Sequence, residues 1–330
     1  METKTEIWSD LLRKFPESNF LQSPLWAEAN RLIGHKIVFE NFDDEAMFLG
    51  IIKDAKRGRY LEIPGGPLVD WKNKPLVKKI FTRIKVVAKE NHCVFVRFRP
   101  QLENTPENNL LLSGLDFSEA PMHLHAQDTV LINLEKSEEE LLADLRRQTR
   151  YEVRRSEKLN LKIEEDHSEA AFKSFHKIQV ETAKRQNFVP PDEKTLLAER
   201  TAFSPENLKL YVVKTEDEKP VAYGLILIYG NEAAYFEAAS TDLNRKLPGA
   251  YLLLWTAIKD LKKQEIKRFN LWGIAPPNQP NHRYAGVTTF KTGFGGEIVE
   301  YIPAKDLVIN PIKYKLNVLV ETARKKKRNL

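Results

Sequence analysis

One cysteine, Cys93, stands in a chain of 330 residues. A lone thiol cannot close an intramolecular disulfide, and it excludes a cysteine-rich zinc module. Apolar runs are short, and none approaches the ~18 residues that a membrane span requires. The opening residues, METKTEIWSD, have neither the basic end nor the apolar centre of a signal peptide. A soluble, cytoplasmic protein is therefore expected. The chain also lacks G-x-S-x-G, H-E-x-x-H and a Walker loop, the signatures of nucleophile-elbow hydrolases, zinc peptidases and phosphate-loop NTPases. His123 and His125 are expected on one strand face, but no third ligand accompanies them, so no metal site is assigned.

What is present describes an ordinary folded protein, with 42% hydrophobic, 30% charged and 10% aromatic residues. At 330 residues the chain exceeds what one core usually organises, so two domains are expected. Lys plus Arg number 52 against 46 Asp plus Glu, a net charge of +6. So mild an excess matters through its placement rather than its size.

The second half is the more legible. Ser137-Glu138-Glu139-Glu140 is a capping box that opens a helix with the apolar stripe Leu142, Leu145, Thr149 and Val153. Leu159, Leu161 and Ile163 alternate as in a strand. Residues 168–187 and 191–203 read as helices, the second after Pro190-Pro191. Strands follow at 207–214, 220–229 and 232–240, with turns at 216–219 and at Gly230-Asn231. A helix at 249–264, a strand at 267–272, a short helix near 286–292 and a strand at 296–302 complete this half. The first half repeats much of that order. Helices near 5–14 and 24–33 precede strands at 36–42, 46–53 and 58–63, a helix at 75–90 and a strand at 93–98. The expected architecture is α/β (α+β), a mixed sheet flanked by helices and built twice.

Basic residues concentrate in two places. Arg147, Arg150, Arg154 and Lys158 recur at i, i+3, i+7 and i+11, opposite the apolar stripe, with Arg146 and Arg155 beside them. Such a run is either a solvated face or a polyphosphate site, and arginine forks suit a tRNA backbone and a diphosphate alike. The tail Arg324-Lys325-Lys326-Lys327-Arg328 follows Leu316, Leu319 and Val320. It is either a frayed helix end or a peripheral contact with anionic lipid on the inner face of the plasma membrane.

The element order resembles the GNAT acyltransferase fold, whose CoA-using members hold pyrophosphate on an R/Q-x-x-G-x-G/A turn at a helix N-terminus. Here that turn reads Asn244-Arg245-Lys246-Leu247-Pro248-Gly249-Ala250-Tyr251. Lys246 takes the Arg/Gln position, Tyr251 the final small one, and Pro248 removes an N–H, all of which speak against CoA. Five segments then carry a narrower resemblance. They are Phe20-Leu21-Gln22-Ser23-Pro24-Leu25-Trp26-Ala27, Leu61-Glu62-Ile63-Pro64-Gly65-Gly66-Pro67 and Leu145-Arg146-Arg147-Gln148-Thr149-Arg150-Tyr151. Phe269-Asn270-Leu271-Trp272-Gly273-Ile274 and Thr289-Phe290-Lys291-Thr292-Gly293-Phe294-Gly295-Gly296 complete the set. In this order, across nearly the whole chain, they resemble the FemABX family, tandem GNAT enzymes that build peptidoglycan interpeptide bridges.

That resemblance implies a first domain of residues 1–145 plus 303–330 and a second of 146–302, of the compact type without a long helical arm. It implies that aminoacyl-tRNA, the co-substrate, gives its aminoacyl group to an amine of a peptidoglycan precursor, lipid II or UDP-MurNAc-pentapeptide. It further implies that no acyl-enzyme, cofactor or metal is needed. Lys291 stands where the family places a catalytic lysine, preceded by the matching aromatic Phe290, expected as a wall of the site. A fixed ammonium beside the oxyanion of ester aminolysis is worth roughly 3–4 kcal/mol. Asn270, Trp272, Gly273 and Tyr251 are expected at the substrate, with core packing the alternative for Trp272 and Tyr251. Trp26 and Arg99 are the first-domain candidates. The lysine, arginine, tyrosine and aspartate that meet the UDP-linked precursor in relatives fall at Glu28, Pro191, Thr195 and Arg99, which favours a lipid-linked or differently held acceptor. Two rivals stay open. One is a GNAT-type N-acyltransferase using acyl-CoA, and the other a non-enzymatic RNA-binding protein, which leaves Phe290-Lys291 without a role.

Overall fold

The computed structural model describes residues 4–16, 18–186, 189–277, 279 and 282–328. The chain forms two compact units, Met1–Gln127 with Glu300–Leu330, and Asp128–Val299. The first contains α1 (Lys4–Leu12), α2 (Pro24–Leu32), β1 (Lys36–Phe42), β2 (Ala46–Lys53), β3 (Arg59–Pro64) and β4 (Leu68–Val69). It continues through α3 (Lys74–Glu90), β5 (Cys93–Arg99), α4 (Pro106–Leu112) and β6 (Ser118–Glu119). The second holds β7 (Asp128–Asn133), α5 (Glu138–Asp144), α6 (Arg147–Ser156), β8 (Lys162–Glu165), α7 (Glu169–Gln186) and α8 (Glu193–Ala202). Then come β9 (Leu208–Lys214), β10 (Pro220–Tyr229), β11 (Glu232–Ser240), α9 (Gly249–Lys263), β12 (Arg268–Asn270), α10 (Ala285–Thr292) and β13 (Glu297–Glu300). The chain returns to the first unit as β14 (Lys305–Val308) and α11 (Pro311–Arg328).

In the first unit the sheet order is β1-β2-β3-β5-β14-β6, with β4 also on β2. β1, β2 and β3 form an antiparallel meander, and β5 lies parallel to β3 after the α3 crossover. Residues Ala46–Ile52 of β2 are buried without alternation, as in a strand covered on both faces. α3 buries Leu76, Val77, Ile80, Phe81, Ile84, Val87 and Ala88, and Asn73 caps it by accepting the Leu76 N–H. The two motifs of this half meet in one knot. Gln22 Nε2 donates to the Leu49 and Pro64 carbonyls at 3.2 and 2.6 Å, and its Oε1 accepts the Leu49 N–H at 2.7 Å. Gly65, at φ 64°, leaves no room for a side chain, because a Cβ would sit 2.3 Å from Asn19 Oδ1. The C-terminal segment is pinned from within. Arg97 grips Asp306 with two bonds of 2.8 Å and reaches Glu321 at 2.9 Å, while Tyr314 donates to Asp306 at 3.0 Å.

In the second unit the order is β13-β7-β12-β11-β10-β9-β8. β8 to β11 pair antiparallel, and β12 lies parallel to β11 after the α9 crossover. Each unit therefore places a meander, a crossover helix and a parallel strand in the same order, the tandem GNAT-like architecture. α9 packs closely on the sheet, since a Cβ at Gly224 would meet Leu253 at 2.6 Å.

Several expectations need correction. The boundary lies at 127/128 rather than 145/146, because β7 pairs with β12 and belongs to the second sheet. It returns at 299/300 rather than 302/303. The single helix expected from Ser137 is two helices, broken at Leu145 and Arg146, whose ψ angles of 135° and 144° are extended. The inward stripe starts at Leu141, with Leu142 only half-buried. The strand expected at 267–272 ends at Asn270. Asn187, at the end of the helix expected over 168–187, lies outside the described residues. α4, β6, β7 and β14 are short elements that periodicity did not reveal.

Candidate active site

Lys291 lies in the last turn of α10 and is buried. It is 8% exposed, its Nζ donates to the Gly273 carbonyl at 2.8 Å, and it sits 5.8 Å from the Tyr235 ring centroid. It has no ion pair among the described residues. Burial without a counter-charge pushes its amine down to about 7. A solvated lysine beside a glycine turn, the ordinary alternative, is thereby excluded.

The backbone that receives Lys291 is itself held in place. Trp272 adopts the left-handed region at φ 61°, unusual for a bulky residue. Asn270 Oδ1 accepts the Trp272 N–H at 2.9 Å and the Thr129 hydroxyl at 2.5 Å, and the Trp272 ring stands edge-on to Phe236 at 5.5 Å. Asn270 is 1% exposed, and its Nδ2 reaches Glu232 at 3.3 Å. Expected at the substrate, it also shapes the turn. Trp272 and Gly273 remain half-buried beside the lysine.

Phe290, expected as a wall of the site, lies in an aromatic cluster. It packs edge-on against Tyr251 at 5.1 Å and Phe294 at 5.3 Å, and Tyr251 stacks on Phe294 at 5.9 Å. Tyr251 therefore belongs to an aromatic cluster, and burial raises its phenol. The glycines that follow Lys291 let the break between α5 and α6 close onto this cluster. A Cβ at Gly293 would fall 2.3 Å from Thr149 Oγ1, and one at Gly295 2.9 Å from Asp144 Cβ. The Arg146 N–H donates to the Gly293 carbonyl at 2.9 Å, and its side chain to the Thr289 carbonyl at 2.7 Å.

The basic run on α6 divides by role. Arg150 donates to the Ala143 and Leu145 carbonyls at 2.7 and 2.9 Å, satisfying the exposed end of α5. Arg146 ties α6 to α10, so both of these expected phosphate ligands already have structural bonds. Arg147, Arg154 and Lys158 make no side-chain hydrogen bond or ion pair among the described residues. With Arg150, Tyr151, Arg155 and Leu159 they line an open groove of about 500 Å³. Tyr151, exposed on this groove, was not singled out in the sequence, where it reads as one aromatic in a charged run.

The amides of Gly249, Ala250 and Tyr251 are bonded within the 244–251 turn itself. Gly249 N–H donates to the Leu247 carbonyl at 2.6 Å, Ala250 N–H to Asn244 Oδ1 at 2.9 Å, and Tyr251 N–H to the Pro248 carbonyl at 3.2 Å. The amides that would cradle a pyrophosphate are occupied.

In the first unit, Trp26 is 8% exposed and packs edge-on against Phe20 at 5.6 Å and His125 at 6.1 Å. Arg99 is 1% exposed, donates from Nε to the Leu124 carbonyl at 3.0 Å and stacks 5.1 Å from the Tyr301 ring centroid. Burial brings its guanidinium down to about 10. Both first-domain candidates are interior. His123 and His125 lie in a loop rather than on a strand, and burial, then Arg99, pushes His125 down to about 3. No group of three potential metal ligands occurs among the described residues.

Two meander-and-crossover units, with a buried lysine beside the strand end of the second, define a tandem GNAT-like protein. Comparison makes this specific: the chain belongs to the FemAB family, whose sequence profile matches residues 5–213 and 196–322. The aminoacyltransferase FemA of Staphylococcus epidermidis is 27% identical over 112 residues, 34% of this chain and 26% of that protein. The chain thus spans about a quarter of the length of that relative. The crystal structure of FemX superposes with a TM-score of 0.84 at 16% identity, covering 96% of this chain and 99% of FemX. A tandem GNAT protein from the clavulanic acid biosynthesis pathway gives 0.53 at 8% identity, covering 80% and 79%. At these identities the structural likeness speaks to the fold.

Proposed function

We propose that this protein is a cytoplasmic aminoacyltransferase that moves an aminoacyl group from tRNA to an amine of a peptidoglycan precursor in interpeptide bridge formation. The observation that carries the reading is Lys291, a buried amine bonded to the Gly273 carbonyl with no counter-charge among the described residues. In its charged form it stabilises the oxyanion formed when the amine nitrogen attacks the ester carbonyl. The carbonyl then reforms, the bond to the ribose oxygen breaks, and the proton lost by the amine balances the one gained by that oxygen. Aminoacyl-tRNA serves as co-substrate, with no cofactor or metal. Arg147, Arg154 and Lys158 supply the phosphate contacts, while the occupied amides at 249–251 argue against acyl-CoA.

The acceptor in this reading is lipid-linked, because Glu28, Pro191, Thr195 and Arg99 stand where relatives hold a UDP-linked precursor. α11 supports peripheral membrane contact. Ile312, Leu316 and Leu319 are exposed at i, i+4 and i+7 beside Lys313 and Lys315, and a basic tail follows. The test is incubation with charged tRNAs and with lipid-linked or UDP-linked precursor, read by mass spectrometry. Ribonuclease should abolish transfer, and acetyl-CoA should not restore a product. Acylation of the precursor by acetyl-CoA would overturn the reading.

A further inference from the structure

A second buried polar cluster lies in the same unit, and nothing in the reaction above uses it. Glu199 of α8 and Gln179 of α7 are each 3% exposed, and Glu237 of β11 is half-buried. Gln179 Nε2 donates to Glu237 Oε2 at 2.7 Å, which places the far side of its amide at the same cluster. Gln179 Oε1 and Glu199 Oε2 are buried and accept no hydrogen bond among the described residues. Burial, then the Glu237 charge, holds the Glu199 carboxyl well above its ordinary range. Burial raises Glu237 too, against the Gln179 amide that lowers it. Further along α7, Arg185 is directed to the Ser240 carbonyl and to Asp242 instead.

Three side chains thus offer acceptors with no cation bonded to them among the described residues. Buried carboxylates are normally paired, and buried acceptors normally bonded. A primary ammonium carries three donors and one positive charge, the complement of two carboxylates and an amide oxygen. We propose that Glu199, Glu237 and Gln179 form an ammonium-binding subsite that takes the free amine of an aminoacyl or peptide substrate. Only the identity of that amine rests on the aminoacyltransferase reading; the site itself does not.

Calorimetric titration of the full chain tests this with alanine methyl ester, which mimics the aminoacyl end of the donor, and with Nα-acetyl-lysine methylamide, which mimics a side-chain acceptor. Their N-acetylated counterparts lack the ammonium. One amine should bind, its acetylated form should not, and E199Q and E237Q should each weaken binding at least ~10-fold while leaving a cooperative melt. Binding of the ester assigns the subsite to the donor, and binding of the lysine probe assigns it to the acceptor. Equal binding of an acetylated control, unchanged binding by both variants, or no amine binding at millimolar concentration would overturn the proposal. So would displacement of the amine by calcium or magnesium, which would make the cluster a metal site. Because the titration contains no tRNA or precursor, E199Q-sensitive binding with no transferase activity would sink the functional reading and leave the subsite standing.

Discussion

The Lys291 ammonium meets the Gly273 carbonyl oxygen at 2.8 Å inside the second unit, with no carboxylate partner among the described residues. The contact joins two segments that lie 18 residues apart. α10 delivers the amine, and the left-handed turn at Trp272 aims the carbonyl. A carbonyl holds an ammonium without neutralising it, so the charge stays available to a developing oxyanion. The same pocket keeps the amine's proton affinity near neutrality.

Changing Lys291 to Met keeps the aliphatic length and removes the donor. Turnover should fall ~10²-fold or more, with tRNA and precursor affinities within a few-fold of wild type. Because the charged fraction declines through about pH 7, the wild-type single-turnover rate should show a descending limb there, absent from the residual K291M rate. A rate that rises through the same pH would make Lys291 a base instead.

Stability should carry the same signature. The folded value near 7 lies below the ordinary 10.5, so the unfolded chain binds more protons between those limits. Wild-type stability relative to K291M should therefore rise with pH across that window, by at most about 1.4 kcal/mol per unit, and be level below it. Urea unfolding at pH 7 to 9.5 measures the slope; a level difference throughout would place Lys291 in solvent.

The basic groove separates from its own scaffold. Replacing Arg147, Arg154 and Lys158 with Gln should lower the log–log salt slope of tRNA binding by about two to three units and leave the melt unchanged. Arg150→Gln should do the reverse, costing about 1–2 kcal/mol because two carbonyls at the end of α5 lose their donor, with little change in slope. Filter binding over a salt series and thermal denaturation distinguish the two.

Gly293→Ala introduces a methyl 2.3 Å from Thr149 Oγ1 and 3.0 Å from the Phe290 carbonyl. It should destabilise by about 1–3 kcal/mol and lower turnover, since the displaced segment carries Lys291. The double variant Thr149→Ala/Gly293→Ala should recover part of the loss. Full activity in the single variant would show that the α5–α6 junction does not position the lysine.

Much of the architecture was legible because its elements are long and periodic. α3, α7, α9 and the β9–β11 meander appear within a residue or two of their expected limits. Lys291 was legible through its motif rather than through any local property, since a lysine near glycines is most often solvated. Arg146, Arg150 and Asn270 have structural bonds that the sequence did not show. Arg146 and Arg150 bond to backbone carbonyls that the folded chain brings near, while Asn270 holds the N–H two residues on. The Glu199–Glu237 cluster gave no signal, because its members come from separate elements and are individually ordinary surface residue types.

By itself, the sequence determined the order of helices and strands, the two-unit plan and the family motifs, all of which follow from local periodicity and from residue type at short spacing. Tertiary structure alone decided where the second unit begins, because β7 earns its place by pairing with a strand more than a hundred residues away. It also decided which basic side chains face solvent and which satisfy carbonyls. Finally, it set the charge state of Lys291, since desolvation depends on what surrounds the amine and not on its neighbours in the chain.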